Sequence, residues 1–150
     1  MSSIVDALYE LKYNPFEYGT YISSFYNSVG TSENNILLAP LVIPLCSHSI
    51  LGRKLYKSNI KSTIWSIFDD RTMLYDLQER IDEFQHLTEQ CIDYCLTNDW
   101  LSIDEERLSL VACSDACTLF KIQKGPEKLG RLFFGRSVIE IYAFLGVKPR

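Results

Sequence analysis

At 150 residues the chain holds one domain's worth of sequence, enough to bury a single sizeable core. An apolar fraction of 47% beside 23% charged residues excludes a disordered segment, and five cysteines without a secretory context argue against a disulfide framework. The net charge of −4 conceals a segregated distribution: residues 1–50 sum to −3, 51–68 to +4, 69–106 to −10 and 107–150 to +5.

The first residues carry Asp6 and Glu10 and lack the basic start and apolar core of a secretory signal, so the expected location is the cytoplasm. The longest apolar run, Ile36 to Cys46, is too short to span a bilayer and reads as core. Ser2 to Leu11 reads as a short helix with Ile4, Leu8 and Leu11 apolar. The next helix is better punctuated, with Asn14 as N-cap, Pro15 at the first helical position, Glu17 completing a capping-box-like arrangement and Gly30 as the stop. Phe16, Tyr21, Ile22, Phe25 and Val29 form its buried face. Thr31 to Asn35 reads as a polar loop.

Leu37 onward is expected to be extended or irregular, because Pro40 and Pro44 disfavour helical geometry in the residues before them. A helix starting near Pro44 carries Leu45, Ile50, Leu51 and Leu55. Ser58-Asn59 offers a further cap, with Ile60, Ile64, Ile67 and Phe68 on the inner face of a helix closed by Asp69-Asp70.

From Met73 the apolar residues Leu74, Leu77, Ile81, Phe84, Leu87, Cys91 and Cys95 recur at steps of three and four, one side of a helix. Thr88 after His86-Leu87 can cap a second helix, so two tightly joined helices are expected. After Asn98-Asp99 the period changes to two. Leu101, Ile103, Leu108 and Leu110 then share one face of a hairpin turning at Asp104-Glu105-Glu106. Helices at 44–56, 59–69 and 73–98 with a hairpin at about 100–111 follow the order of a winged helix.

Ser114 or Asp115 caps a helix to about Gln123, which Gly125-Pro126 interrupts. Pro126 then starts a helix with Leu129, Leu132 and Phe133 inward, Lys128 and Arg131 outward, and Gly135 as its stop. Ser137 with Glu140 caps a last helix buried through Val138, Ile141, Tyr142 and Leu145 and stopped by Gly146. The fold class is therefore mainly α, a winged-helix-like domain with one short β-hairpin and a C-terminal helical extension. It reads as a single domain over 1–150, divided into N-terminal helices (1–36), a winged-helix-like core (37–112) and a C-terminal helical module (113–150).

Cys91 with Cys95 and Cys113 with Cys117 form two Cys-x3-Cys pairs. Four thiolates can hold zinc, but the first pair continues an apolar stripe and structural zinc more often uses a Cys-x2-Cys knuckle, so no metal or cofactor is expected. His48 and His86 are the two histidines, and no phosphate loop, His-Glu-x-x-His or Gly-x-Ser-x-Gly is present. An enzyme is not expected. A DNA-contacting wing should be basic, whereas this one is acidic and would be repelled. The basic residues of 53–61 and 121–136 can instead form one composite patch, and opposed acidic and basic faces suit protein docking.

Asn14-Pro15-Phe16, the Leu41-Val42-x-Pro44-Leu45 run with His48, the Thr63 to Phe68 helix bearing Trp65, Leu129-Gly130-Arg131-Leu132-Phe133 and the ending Leu145-Gly146-Val147-x-Pro149 resemble the middle component of bacterial three-component ABC-ATPase (ABC-3C) systems, which include Lamassu-type defence systems. The resemblance covers nearly the whole chain. It departs from that pattern at Leu132, where Trp is expected, and at Pro40 and Gly125-Pro126.

The resemblance implies a non-enzymatic adaptor linking an SMC- or Rad50-like ATPase to an effector, commonly a nuclease, in defence against phage or plasmid DNA, with DNA reached indirectly through the complex, its basic face meeting a partner or DNA held by the ATPase, and no membrane involved. The residues carried over as a partner interface are Lys128, Gly130, Arg131, Phe133 and Arg136, together with Asn14, Phe16 and His48. The competing structural reading gives Gly130 to close helix packing and Arg131 to a surface salt bridge. The alternative function is a stand-alone winged-helix DNA-binding regulator.

Overall fold

The computed structural model describes residues 3–113 and 120–149. Among them the chain forms α1 (Ile4–Lys12), α2 (Pro15–Val29), α3 (Ala39–Cys46), α4 (Ser49–Lys57), α5 (Ile64–Ile67), α6 (Leu77–Thr97), an antiparallel hairpin of β1 (Leu101–Asp104) and β2 (Ser109–Ala112), α7 (Lys124–Phe133) and α8 (Val138–Leu145), with 3-10 turns at Asn35–Leu38 and Arg71–Leu74. The fold is mainly α with one short hairpin, as expected.

The apolar run does not remain extended. Residues 35–38 wind into a 3-10 turn that passes directly into α3, where Leu41, Val42, Ile43 and Leu45 are all fully buried. A helix apolar on every side belongs at the centre of a core, and that burial outweighs the local bias of the prolines. Pro40 sits in the first turn, where its missing N–H has no helical partner to lose. Pro44 costs an internal bond, and its carbonyl is taken by Arg80 Nη2 at 3.1 Å, which also reaches Ser47 Oγ at 3.0 Å. The helix expected from Pro44 to Leu55 is thus two helices, bent by 103° between Cys46 and Ser49. No single described helix is long and apolar enough to cross a membrane.

α6 runs unbroken from Leu77 to Thr97, so the expected break at Thr88 is absent. Thr88 lies in the buried stripe with its Oγ1 unpartnered, because capping would forfeit several backbone bonds of a helix holding neither Gly nor Pro. Leu77, Ile81, Phe84, Leu87, Cys91 and Cys95 are buried as the spacing predicts. The helix expected at 59–69 shrinks to the single turn of α5, opened by a capping box between Thr63 and Ser66 instead of Ser58-Asn59. Ile60, expected inside, is 99% exposed.

The hairpin pairs Leu101 with Ala112 and Ile103 with Leu110, burying Leu101 and Leu110. Leu108 leaves the expected face. It occupies the turn at φ 50° and is exposed. The hairpin is fastened to residues 32–36. Asn35, fully buried, accepts from Leu110 N–H at 2.7 Å, donates to Leu110 and Gly30 carbonyls at 3.2 and 3.3 Å, and offers its own carbonyl to Tyr26 Oη at 2.7 Å.

In the C-terminal module the helix starts at Lys124, so Gly125-Pro126 lies within its first turn instead of breaking the chain before it. Most of the helix expected from Ser114 or Asp115 falls outside the described residues, and Gln123 is extended. α7 packs across α2 at very short range. Ser28 Oγ donates to the Glu127 carbonyl at 2.6 Å, and Ser24 Oγ accepts from Gln123 N–H at 2.9 Å. A Cβ on Gly130 would sit 2.0 Å from Ser28 Oγ and 2.6 Å from the Phe25 carbonyl. α8 caps on Ser137 and buries Val138, Ile141, Tyr142 and Leu145 as expected, ending at left-handed Gly146.

Two glycines five residues apart on α7, Gly125 and Gly130, make a controlled pair. Gly130→Ala should destabilise the chain by about 1–3 kcal/mol through overpacking. Gly125→Ala, which has open space around it, should be neutral or stabilising by up to about 0.5 kcal/mol. Urea denaturation followed by far-UV circular dichroism measures both.

A candidate partner interface

The basic residues of 53–61 and 121–136 meet in the fold. α4 ends at Lys57, where Ser58 Oγ donates back to the Leu55 carbonyl at 2.7 Å. The Asn59 side chain then accepts from Lys61 N–H at 2.8 Å, and Asn59 N–H donates to Ser62 Oγ at 3.0 Å. Opposite this turn lies the corner between α7 and α8. Lys128 Nζ donates to the Tyr56 carbonyl, and Lys124 and Lys128 both stand over the Tyr56 ring, 5.4 and 5.8 Å from its centroid. Arg136 covers the Trp65 ring at 4.6 Å. Between the two walls runs a groove of about 720 Å³, lined among others by Ile60, Ile64, Lys128, Arg131, Leu132 and Phe134.

Two of the arginines are held by neighbours on their own helix or its approach. Arg131 pairs with Glu127 at 2.9 Å and Arg136 with Glu140 at 3.1 Å, each at a spacing of four. Such partly exposed pairs contribute little to stability, but they fix where the guanidinium groups stand. Phe134 is 67% exposed, and the chain turns at Gly135 (φ 79°) beside it.

The eight residues carried over from the resemblance separate into groups. Lys128, Arg131 and Arg136 come together on the groove. Gly130 and Phe133 lie beneath them, buried against α2, with the Phe133 ring edge-on to Phe25 at 6.1 Å. Asn14, Phe16 and His48 line no part of the groove. Asn14 joins α1 to α2, accepting from Glu17 N–H at 2.9 Å and donating to the Leu11 carbonyl at 3.0 Å. Phe16, expected on the buried face of α2, is 68% exposed and meets Tyr94 edge-on at 5.2 Å. His48 is the N-cap of α4, its Nδ1 accepting from Ile50 and Leu51 N–H at 3.1 and 3.2 Å. Sequence reasoning missed Ile60 and Phe134, and placed Ile60 inside.

The opposite charge lies on α6 and the hairpin tip. Glu79, Asp82, Glu83 and Glu89 occupy the exposed side of α6, and Glu105 and Glu106 the exposed turn. Of the cysteines, Cys91 and Cys95 are buried one turn apart on α6, and Cys117 lies outside the described residues. Burial pushes the Cys91 thiol up to about 12 and the Cys95 thiol up to about 11. Cys95 Sγ donates to the Gly19 carbonyl at 3.2 Å and accepts from Ser23 Oγ at 3.5 Å. Thiols this hard to ionise are poor nucleophiles at neutral pH.

Residues 2–149 match the family of ABC-three component (ABC-3C) system Middle Component 3. The chain belongs to that family. As an ABC-3C middle component it has a role within a multi-component system, which agrees with two oppositely charged surfaces on one small fold. Comparison with curated proteins and with solved structures returned no match.

The cap at His48 makes this middle component's stability sensitive to acid. Burial first, then the charge of Arg80, lowers the His48 pKa below its ordinary 6.5, with Asp76 opposing. A protonated Nδ1 also cannot accept from the α4 amides. The unfolded chain therefore binds this proton more readily than the folded one, and stability falls as pH drops below about 6.5. His48→Asn, which keeps a capping oxygen, should flatten the change in urea midpoint between pH 7 and pH 5 while retaining the fold at pH 7.

Proposed function

We propose that the chain is a non-enzymatic adaptor, acting in the cytoplasm, that joins an SMC- or Rad50-like ABC ATPase to an effector of the nuclease kind that the family resemblance implies, in defence against phage or plasmid DNA. The observation that carries the proposal is the segregation of charge on a rigid helical body. The exposed carboxylates of α6 and of the hairpin tip lie on elements that line no part of the basic groove, whereas cations of α7 and the α7–α8 corner line it. Complementary charge on two partners gives each a distinct docking site and sets its orientation. Membership of a middle-component family supports the same reading.

A non-enzymatic role is supported by how the reactive side chains are used. The Nδ1 of His48 is occupied as a helix cap, and the buried thiols of Cys91 and Cys95 resist ionisation. A coupling role requires that the adaptor contact the ATPase differently in its two states, because only differential contacts shift an equilibrium. A stand-alone winged-helix DNA regulator is less well supported. The exposed side of the long helix and the tip of the hairpin, the two elements that would meet phosphate, are both acidic.

Native mass spectrometry of the tagged chain co-expressed with its neighbouring genes tests the proposal. The expected result is one assembly containing this chain, a large ATPase and a second protein. Reversal of Glu83 and Glu89 to Lys should release one of those partners and Arg131→Glu the other, with circular dichroism of the isolated chain unchanged. A monomer or homodimer that leaves the neighbours unbound and binds duplex DNA would overturn the adaptor reading.

A further inference from the structure

We infer that the groove between residues 58–64 and the α7–α8 corner receives an acidic segment of a partner protein anchored by an apolar side chain, an inference that rests on the adaptor reading above. Ile60 is the first reason. Its side chain is 99% exposed, yet its turn is fastened by the Asn59 and Ser62 side chains and by Ser62 N–H donating to the Asn59 carbonyl at 2.9 Å. A large apolar group held in water by a closed turn makes no internal contact and gains one only when something covers it.

Phe134 supplies the facing wall. It lies next to the end of α7, 67% exposed, with Leu132 and Ile64 completing an apolar lining. Lys128, Arg131 and Arg136 line the groove with one carboxylate, Glu140; Glu127 pairs with Arg131 from outside the lining, and Lys57 and Lys61 lie on the chain just before and just after Ile60. Cations surrounding an apolar slot match a peptide that carries an apolar anchor flanked by Asp or Glu.

Nucleic acid fits the same groove less well. Neither aromatic ring that could stack a base lines the groove, and each already carries a cation over its ring, Trp65 that of Arg136 and Tyr56 those of Lys124 and Lys128. Glu140 lines the groove and would face incoming phosphates. Ile60, Ile64 and Leu132 have no counterpart on a phosphodiester backbone. A partner segment satisfies the charge and the apolar surface together.

The test places a photo-crosslinking amino acid at position 60, and separately at 134, in the full chain co-expressed with its neighbouring genes. Mass spectrometry after irradiation should find a partner segment containing Leu, Ile, Phe or Met flanked by acidic residues. A synthetic peptide of that segment should bind the chain about tenfold more weakly after Ile60→Ser or Phe134→Ser, as for a buried interface anchor. The double variant K61E/R131E should abolish its binding, and exchange of the peptide's acids for Lys should restore it. Crosslinks to DNA, to a second copy of this chain or to a segment lacking acids, or none at all in an assembly that still forms, would overturn the groove assignment and leave the adaptor reading standing. Failure of any assembly to form overturns both.

Discussion

The close approach of α7 to α2 is the contact on which the basic surface depends. Gly130 lets the two backbones meet, since any side chain there would collide with Ser28 Oγ and the Phe25 carbonyl. Ser24 and Ser28 convert that proximity into hydrogen bonds with the chain at Gln123 and Glu127. Small side chains thus do two jobs along this seam, admitting the neighbour and satisfying its backbone. Leu129 and Phe133 are fully buried as a consequence, and the opposite side of the same helix is left to Lys124, Lys128 and Arg131. Moving α7 outward would separate Lys128 from the Tyr56 carbonyl and open the groove wall.

The hairpin is held by a different device. Asn35 uses both ends of its amide on the two backbone groups of Leu110 and also reaches Gly30. A buried amide with every bond made is specific in a way that apolar packing is not, because shifting the strand by one residue would orphan several polar groups at once. The hairpin is accordingly part of the body, with its acidic tip held beside residues 32–36. Surfaces that sort partners by charge need this rigidity, since a mobile charge gives little orientational preference.

Periodicity made most of the helical architecture legible. The stripe from Leu74 to Cys95, the caps at Asn14 and Ser137 and the stops at Gly30 and Gly146 all stand where the residues place them. The misreadings share a cause, the weight given to local signals over burial. Pro40 and Pro44 were read as breakers, yet they sit in a helix whose apolar side chains are enclosed on all sides. Thr88 was read as a cap and proved to be a core residue. Asn35 reads as loop because Leu110, which takes both ends of its amide, lies seventy-five residues away, beyond the reach of any local pattern. Ile60 fits a helical spacing with Ile64 and Ile67, and only the Asn59–Ser62 turn shows that it leaves the helix. Of the residues suggested by family resemblance, Lys128 and Arg131 share the outer side of α7 by spacing, whereas the turn that brings Arg136 beside them and the contact of Lys128 with Tyr56 on α4 are encoded by no spacing.

The internal ion pairs give the basic surface its selectivity. Arg131 and Arg136 each face a carboxylate four residues away, so an incoming acidic group must compete with, or bridge, a pair already formed. Exposed pairs of this kind are worth little in isolation, which keeps the exchange inexpensive. The same carboxylates act more strongly against a polyanion, which brings many charges at once and meets each of them. Lysines at 57 and 61 have no such neighbour four residues along the chain and supply longer-range attraction. On the reading proposed above, attraction from the lysines serves encounter and exchange at the arginines serves recognition, with Ile60 and Phe134 both lining the groove. On the adaptor reading proposed above, release of a partner when an ATPase changes state is served by contacts that are individually weak and collectively specific.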